Sequence, residues 1–383
     1  MLYRKFGKTN EMVSSLGFGC MRLPLLSGGD PSQIDESLAI KLVRYAIDGG
    51  VNYIDTAYPY HGTGMDKGGQ SEPFVAKALK NGYREKVKLA TKLPSWLIKT
   101  RGDMDRYLNE QLERLETDSI DFYLVHTINS NLWPVLKEAG IAEFLDQAIK
   151  DGRIKYAGFS FHDKHDVFNE IVDYYDWSFC QIQYNYLDEN FQAGTAGLEY
   201  AAQKGLGITI MEPLRGGKLA GNLPEAAQNA FEQTDVKRTA ADWALRWVWN
   251  HPEVSVILSG MNTMDQVTEN LKSASEAEAN SLTAQEVTAI DQVKAIFKER
   301  IKVNCTACGY CMPCPQGVNI PSCFAMYNSY HMFGNEESYN ARFPAKQKAS
   351  SCVECGECET HCPQGISIRQ ELRNVTAVFE KAI

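Results

Sequence analysis

Eight short segments rich in β-branched and aromatic residues alternate with longer segments of helical periodicity between residues 13 and 298. Strands that alternate strictly with helices form a parallel sheet, because each helix carries the chain back to the start of the next strand. Eight repeats predict that the sheet closes into a (β/α)8 TIM barrel, a fold of the α/β class. The predicted strands are Ser15–Gly19, Asn52–Asp55, Lys88–Lys92, Ile120–His126, Tyr156–Ser160, Phe179–Gln183, Gly207–Glu212 and Ser255–Ser259.

Helical segments fill the intervals between these strands, and several begin at a capping residue and end at Gly or Asn. Residues 2–8 are expected to form part of a hairpin across the barrel floor. Residues 222–234 contain Pro, Gln and Asn with weak periodicity, so we predict a long loop after the seventh strand. The predicted helices are Asp35–Gly49, Ser71–Asn81, Asp103–Leu115, Ile141–Lys150, Lys164–Tyr174, Thr195–Lys204, Lys237–Asn250 and Leu282–Arg300.

The length and a change in composition predict two domains. A barrel takes roughly 250 to 300 residues, and this chain has 383. After the last predicted helix the sequence becomes rich in Cys, Pro and Gly. We therefore predict a barrel over residues 1–300 and a small second domain over residues 301–383.

The charge and hydropathy of the chain exclude several kinds of partner. A net charge of -9 and a pI near 5.4 disfavour nucleic acid, which is bound by clustered Lys and Arg. The sequence contains no run of roughly 18 apolar residues that could span a membrane, and its N-terminal segment has no apolar core of a secretion signal. We therefore expect a cytoplasmic protein that binds neither nucleic acid nor membranes.

Nine of the eleven cysteines lie in the last 79 positions, which in a reducing compartment indicates metal binding rather than disulfides. Eight of them form two similar runs that begin 47 residues apart. The ninth, Cys323, and the two in the predicted barrel, Cys20 and Cys180, are expected to be buried apolar residues. The two runs consist of Cys305, Cys308, Cys311 and Cys314, and of Cys352, Cys355, Cys358 and Cys362.

The spacing of the two runs is typical of a pair of 4Fe-4S clusters. Three cysteines, each separated from the next by two other residues, hold one cluster through their thiolates. The cysteine before proline supplies the fourth ligand of the other cluster. This rule combines the first three cysteines of each run with the last cysteine of the other, although the first run is one residue shorter before Cys314. The helix-compatible insert between the runs predicts a mainly α-helical, ferredoxin-like domain. Structural zinc sites and disulfides are the alternative interpretations.

Four polar residues lie at or just beyond the ends of successive predicted strands, where TIM-barrel enzymes carry their catalytic groups. They are Asp55 and Tyr60 after the second strand, Lys92 at the end of the third and His126 at the end of the fourth. Each one alone has an ordinary structural explanation. Their occurrence together at three neighbouring strands predicts a catalytic site.

The motif Asp55-Thr-Ala-x-x-Tyr60, with the strand-end Lys92 and His126, resembles the aldo/keto reductase superfamily over residues 1 to about 298. The whole chain resembles the subgroup with a C-terminal ferredoxin-type 4Fe-4S domain. The family's glycine after the tyrosine is here His61. The resemblance implies that Tyr60 donates the proton when hydride addition creates an alkoxide. Lys92 would make the phenol more acidic, Asp55 would hold Lys92 charged, and His126 would orient the carbonyl oxygen.

The same resemblance implies a site for NADPH or NADH at the ends of the later strands. Met211 replaces an aromatic residue that often stacks on the nicotinamide, and Phe161 replaces an asparagine. The segment at the adenosine end lacks the basic residues that many relatives direct at the 2′-phosphate, so the preference between the two cofactors stays open. The implied cofactor-binding residues are Ser160, His162, Gln181, Met211, Pro213, Leu214, Arg215, Gly217, Lys218, Ser259, Gly260, Met261, Asn262, Gln266, Glu269 and Asn270.

These observations together predict an oxidoreductase that transfers a hydride between a nicotinamide and a small carbonyl or alcohol. Tyr58, Trp96 and Trp133 are candidate aromatic walls of the substrate pocket, and the clusters are expected to exchange electrons with a redox partner. Hydride transfer moves two electrons together whereas a cluster passes one, so a structural or sensing role for the clusters is also open. The alternative hypothesis is a nicotinamide-binding redox sensor or an electron-transfer subunit.

Overall fold

The computed structural model describes residues 1–26, 29–221, 223–334 and 339–380. Eight parallel strands close into a barrel in chain order, and the last strand pairs with the first. The predicted barrel is therefore confirmed. Before it, β1 (Tyr3–Lys5) and β2 (Met12–Ser14) form the expected antiparallel hairpin. The barrel strands are β3 (Leu16–Gly19), β4 (Tyr53–Asp55), β5 (Lys88–Leu93), β6 (Ile120–Ile128), β7 (Ile154–Phe161), β8 (Phe179–Gln183), β9 (Gly207–Met211) and β10 (Val256–Ser259).

Helices follow the strands as predicted, with ends that differ by a few residues from the predicted ones. Helices α4 and α10 were not predicted. In the described part of the chain, no helix is both long and apolar enough to cross a membrane. The first eleven helices are α1 (Glu36–Asp48), α2 (Ser71–Ala78), α3 (Arg101–Arg114), α4 (Leu132–Glu138), α5 (Ile141–Lys150), α6 (His165–Tyr174), α7 (Gly194–Gln203), α8 (Glu225–Glu232), α9 (Ala240–Trp249), α10 (Met264–Glu276) and α11 (Ala284–Glu299).

The prediction of a loop over residues 222–234 is wrong, because α8 occupies most of this segment. Pro224 directly precedes the helix, a favourable position for proline since its missing N–H needs no partner there. Ala227, Ala230 and Phe231 are buried, and α8 packs against α11. The helix gains its stability from this distant partner, which a local pattern does not reveal. Asn222, the first residue of the predicted loop, lies outside the described residues.

Aromatic side chains fill the lower part of the barrel. The ring of Phe6 lies 4.6 Å from that of Phe122, 5.3 Å from Phe179 and 5.9 Å from Tyr53, measured between ring centroids. All four are fully buried, and each buried side chain of this size contributes about 1.5–3 kcal/mol to folding. These rings close one end of the barrel. The polar strand-end residues lie at the opposite end, at the carboxyl ends of the strands.

The chain divides into two compact units by its contacts. The first comprises Met1–Ala220 and Arg238–Thr283, and the second comprises Gly221–Lys237 and Ala284–Ile383. The predicted division after residue 300 stays a prediction, since α8 and α11 group with the second unit. Residues 335–338 and 381–383 of the predicted second domain lie outside the described residues.

The cysteine-rich part of the second unit is mainly helical, as predicted. Helix α12 packs against α15, and the ring of Tyr339 stacks on Phe379 at 4.4 Å. Cys323 is fully buried beside the Tyr339 hydroxyl, which agrees with its predicted role as a core residue. The helices are α12 (Ile320–Phe333), α13 (Tyr339–Arg342), α14 (Glu357–Thr360) and α15 (Ile368–Phe379).

Candidate active site and cysteine cavities

The structure brings Asp55, Tyr60 and Lys92 into one hydrogen-bonded group at the carboxyl ends of β4 and β5. The ammonium of Lys92 donates to Oδ1 of Asp55 at 2.7 Å and to the carbonyl oxygen of Thr56 at 2.8 Å. It also lies 3.3 Å from the Tyr60 hydroxyl. Asp55 on β4 pairs with Ala90 on β5, so Lys92 lies two residues further along β5. The side chain of Lys92 therefore reaches back to Asp55 over the strand ends. One ammonium therefore contacts both the carboxylate and the phenol.

The ion pair is removed from solvent, with side-chain exposures of 0% for Lys92 and 3% for Asp55. Burial raises the pKa of Asp55, and the nearby ammonium opposes this change. Burial lowers the pKa of Lys92, but attraction to Asp55 and Tyr60 outweighs it, so the pKa of Lys92 is raised. Lys92 therefore remains a cation at neutral pH.

Tyr60 is half-buried, and this changes the expected acidity of its phenol. Burial raises the pKa of Tyr60 above its usual value of about 10. The Lys92 ammonium lowers the pKa of Tyr60, as the sequence predicted, but burial raises it by more. The phenol is therefore fully protonated at neutral pH, in the form that a proton donor needs.

His126 lies on β6 beside this group. Its ring centroid is 6.1 Å from that of Tyr60 and 5.3 Å from that of Trp96. Burial, followed by the charge of Lys92, lowers the pKa of His126 well below its usual value, so the imidazole is neutral. Its Nδ1 and the Asp55 Oδ2 are buried and have no hydrogen-bond partner among the described residues.

Of the three predicted aromatic walls, Trp96 lies at the site. Tyr58 instead donates its hydroxyl to Glu110 on α3 at 3.0 Å. Trp133 is buried on α4 and donates to Glu170 on α6 at 2.9 Å. The prediction that Tyr58 and Trp133 line the pocket is therefore wrong, because their hydroxyl and indole groups are bonded to outer helices.

The predicted nicotinamide residues are grouped at the ends of β7, β8 and β9. Ser160 Oγ accepts from the amide of Thr127 at 2.7 Å, and Gln181 Nε2 lies 3.5 Å from the sulfur of Met211. His162 is held through Nδ1 by Gln192 at 3.4 Å. The Gln181 Oε1 atom is buried without a partner among the described residues. An unsatisfied amide oxygen at this position suits a planar amide such as the nicotinamide carboxamide.

The loop after β9 holds the next predicted residues in a tight turn. Arg215 has a φ of 48°, and the following residues Gly216 and Gly217 have φ values of 69° and 91°. Gly217 donates its amide to the carbonyl of Leu214 at 2.9 Å, which closes the turn after Pro213. This left-handed backbone favours glycine, and the amides of Arg215, Gly217 and Lys218 all donate to carbonyl oxygens of the turn. Lys218 continues the same turn.

Arg22 is a residue that the sequence analysis did not consider. It lies in the loop after β3, and its guanidinium forms an ion pair with Glu212 at 2.9 Å, although Glu212 follows β9. Its side chain also packs along Gly260, where an added Cβ would lie 3.2 Å from the Arg22 Cβ. Arg22 therefore joins the loops of three strands at the carboxyl end of the barrel.

The predicted adenosine-end residues are joined mainly to each other. Asn270 donates to Ser259 Oγ at 3.0 Å, and the amide of Asn262 donates to Gln266 at 2.8 Å. Met261 is buried. Glu269 accepts from the hydroxyl of Thr239, the N-cap of α9. Arg238, which lies in the predicted helix Lys237–Asn250, directly precedes this threonine, so a basic residue does lie near the adenosine end.

His61 follows Tyr60 and fixes the neighbouring loop. It has a φ of 57°, in the left-handed region that favours glycine. Its Nε2 accepts from the amide of Leu23 at 3.2 Å and its Nδ1 donates to the carbonyl of Pro31 at 2.8 Å. This pair of bonds requires the neutral ring, and burial lowers the pKa of His61.

In the second unit, the eight cysteines surround two cavities. A cavity of about 300 Å³ is lined by Cys314 of the first run and by Cys352, Cys355 and Cys358 of the second, together with Cys311. A smaller cleft is lined by Cys305, Cys308, Cys311 and Cys362. Each cavity thus combines three cysteines of one run with the last cysteine of the other.

The backbone repeats in the two runs. Ala307 and Glu354 occupy equivalent positions with φ values of 54° and 58°, and Gly309 and Gly356 both have a φ of 81°. The amides of Ala307 and Glu354 each lie 3.4 Å from the sulfur of the first cysteine of their run. Amide donors directed at sulfur stabilise thiolates, so the donor set fits a thiolate-bound group such as a 4Fe-4S cluster.

The fold and the two sites define an oxidoreductase-type barrel joined to a cysteine-rich ferredoxin-like unit. The chain belongs to the aldo/keto reductase family, whose sequence model matches residues 15–295, and a 4Fe-4S dicluster domain matches residues 304–366. Members of this family use NAD(P)H and act on small carbonyl compounds.

Individual relatives match 70% to 76% of the chain. An uncharacterized oxidoreductase, YqkF, from Bacillus subtilis is 26% identical over 76% of this chain and 95% of its own length. The 6-dehydroglucose reductase of Novosphingobium aromaticivorans is 27% identical over 70% of this chain and 88% of its own. The holo structure of the aldo-keto reductase AKR11C1 from Bacillus halodurans has a TM-score of 0.63, with 27% identity over 76% of this chain and 96% of that one.

The buried neutral His61 predicts a loss of barrel stability in weak acid. Its pKa is lowered on folding, so the unfolded chain binds the proton more tightly. This contribution is complete above the unfolded pKa of about 6.5 and is lost as the pH falls below it, by at most about 1.4 kcal/mol per pH unit. We expect His61→Gln to be less sensitive than the wild type to a change from about pH 7.5 to about pH 5.5.

Tryptophan fluorescence during urea unfolding measures this difference in the barrel, because all six tryptophans lie in the first unit. His126 also gains a proton on unfolding, in the wild type and in His61→Gln alike. The difference between the two proteins therefore reports the contribution of His61. Equal losses of stability in the two proteins would contradict the account.

Proposed function

We propose that the barrel transfers a hydride between a nicotinamide cofactor and a small carbonyl or alcohol substrate. The observation that carries this proposal is the position of the Lys92 ammonium, within hydrogen-bonding distance of both Asp55 and Tyr60. This arrangement supplies a protonated acid next to a fixed positive charge. A carbonyl oxygen that becomes an alkoxide needs both.

Each of the four residues has a separate task. Tyr60 gives its hydroxyl proton to the substrate oxygen, and Lys92 stabilises the phenolate that remains. Asp55 keeps Lys92 charged in a dry environment, where an unpaired ammonium would lose its proton. The neutral His126 holds the carbonyl oxygen near the Tyr60 hydroxyl. In the direction of alcohol oxidation the same groups accept the proton.

The nicotinamide supplies or accepts the hydride when it is bound. We propose that Gln181, Ser160 and His162 hold its carboxamide, with Met211 packed against the ring. The diphosphate would lie at the turn formed by Pro213, Leu214, Arg215, Gly217 and Lys218, where Arg215 and Lys218 supply positive charge. The adenosine would be bound by Ser259, Gly260, Met261, Asn262, Gln266, Glu269 and Asn270.

We propose further that the eight cysteines bind two 4Fe-4S clusters with crossed ligands. The lining of the two cavities supports this assignment, with Cys305, Cys308, Cys311 and Cys362 around one cluster and Cys314, Cys352, Cys355 and Cys358 around the other. Such clusters pass one electron at a time. We therefore propose that they serve a redox partner rather than accept a hydride.

The proposed acid is tested by Tyr60→Phe. Loss of the hydroxyl should lower kcat for reduction of a simple aldehyde such as 4-nitrobenzaldehyde by at least about 100-fold, because no other acid donates the proton. Affinity for NADPH or NADH, measured by fluorescence titration, should not change. Tyr58→Phe is the matched control, since its hydroxyl is bonded to Glu110 on α3. Turnover by Tyr60→Phe at the rate of the control would exclude Tyr60 as the acid.

The ligand assignment is tested by Cys355→Ala. It removes one of the four thiolates of one proposed cluster, so the purified protein should lose about half of its cluster iron and acid-labile sulfide. Cys323→Ala is the control, because this cysteine is buried in the same unit and lines neither cavity. Unchanged iron in Cys355→Ala, or an equal loss in Cys323→Ala, would show that the assignment is wrong.

A further inference from the structure

A buried carboxylate lies just outside the barrel wall, and the proposed reaction does not use it. Glu72, near the start of α2, has a side-chain exposure of 0%. Its Oε1 accepts from Thr91 Oγ1 and from Gln111 Nε2, both at 2.7 Å, and its Oε2 accepts from Arg114 Nε at 2.8 Å. A buried ion pair of this kind gives little net stability compared with apolar packing. Its contacts point to a different role.

Gln111 connects Glu72 to the strand that carries Lys92. It is fully buried in the last turn of α3, and its Nε2 also donates to the carbonyl oxygen of Lys92 at 3.0 Å. Its Oε1 accepts from the hydroxyl of Tyr123 at 2.8 Å. The side chain of Gln111 is thus fixed at both ends, and it holds the backbone of Lys92 from the outer side of the barrel.

Arg114 connects Glu72 to the loop that carries Tyr60. Its Nη2 donates to the carbonyl oxygen of Gly69. Gly69 packs directly against Tyr60, since a Cβ added to this glycine would lie 2.0 Å from the Tyr60 carbonyl oxygen. The next residue but one, Ser71, donates its amide to that same oxygen at 3.1 Å. Arg114 therefore fixes the segment against which the backbone of Tyr60 rests.

We propose that Glu72, Gln111 and Arg114 form a positioning network that sets the distance between the Lys92 ammonium and the Tyr60 hydroxyl. Lys92 and Tyr60 belong to different segments, and the Glu72 carboxylate accepts hydrogen bonds from the two side chains that hold those segments. The three residues touch no reacting atom, so they are positioning residues. The inference rests on the proposed function, because it assigns these residues to the same proton-donating site.

The geometry makes the network's effect on the reaction large. The Lys92 ammonium is 3.3 Å from the Tyr60 hydroxyl, near the outer limit of a hydrogen bond. A further displacement of about 1 Å would break this contact, and misplacement by that amount can cost up to about 100-fold in rate. It would also weaken the electrostatic effect of Lys92 on the phenol. Tyr60 would then hold its proton more tightly.

The test compares Gln111→Met with Tyr123→Phe. Methionine has nearly the same volume as glutamine but donates to neither Glu72 nor Lys92. Tyr123→Phe removes one buried hydrogen bond from Gln111 and leaves the donations of its Nε2 to Glu72 and Lys92 intact, so it controls for a general loss of stability. Gln111→Met should lower kcat at least about tenfold with an unchanged KM for the nicotinamide. It should also move the alkaline limb of the pH profile of kcat to higher pH, whereas Tyr123→Phe should leave both properties close to those of the wild type.

A second variant covers the case in which Gln111→Met does not fold. Arg114 is partly exposed, and Arg114→Lys keeps a positive charge beside Glu72 but cannot reach Glu72 and the Gly69 carbonyl together. It should change kcat and the alkaline limb in the same directions as Gln111→Met. Wild-type kcat and an unchanged alkaline limb in a folded variant of either residue would overturn the inference. Equal changes in Tyr123→Phe would overturn it as well.

A direct titration of Tyr60 separates this inference from the proposed function. Tyrosine labelled with carbon-13 at Cζ reports the ionisation of each phenol by NMR, and Tyr60→Phe assigns the signal. The titration of Tyr60 should move to higher pH in Gln111→Met and stay unchanged in Tyr123→Phe. If the wild type reduced no carbonyl but this shift occurred, the positioning network would stand and the proposed reaction would fall. No shift in an active enzyme would overturn the network alone.

Discussion

The buried ion pair between Lys92 and Asp55 is the interaction on which the rest of the active site depends. An ammonium with no solvent exposure would lose its proton without a carboxylate beside it. The parallel pairing of β4 with β5 supplies that carboxylate, because the two neighbouring strands end at the same edge. Such a pair adds little to stability, so its importance lies in the charge that it maintains beside Tyr60. Partial burial raises the pKa of Tyr60 and so keeps the phenol protonated, and the charge beside it stabilises the phenolate that the reaction would leave.

The cysteine-rich unit also has to stabilise charged groups, and it does so with backbone amides instead of an ion pair. Thiolates that share a small volume repel each other, and here backbone amides of Ala307 and Glu354 are directed at sulfur atoms. The left-handed backbone at Gly309 and Gly356 repeats in both runs, which indicates one local structure used twice. The crossed lining of the two cavities means that neither run completes a site without the other. Both runs must therefore fold together before either group of four cysteines forms.

Much of the fold and of the central site was predictable, because it follows local patterns. The eight strands, the positions of Lys92 and His126 at strand ends and the two cysteine runs are all visible in short windows of sequence. The remainder depends on contacts between distant segments. Helix α8 owes its stability to α11, Arg22 acts through Glu212 about 190 residues away, and Gln111 has no sequence signal because it is one polar residue on an amphipathic helix.

The measurement that tests the central claim most directly follows a deuterium atom. The purified holoprotein would be incubated without oxygen with 4-nitrobenzaldehyde and with NADPH or NADH carrying deuterium on the transferred position of the nicotinamide ring. If the barrel is a hydride-transfer site, the alcohol product contains one deuterium per cofactor oxidised, and the visible absorption of the clusters does not change. Oxidation of the cofactor with bleaching of the clusters and no deuterated alcohol would contradict the account, since the electrons would then leave the nicotinamide without reaching a carbonyl carbon.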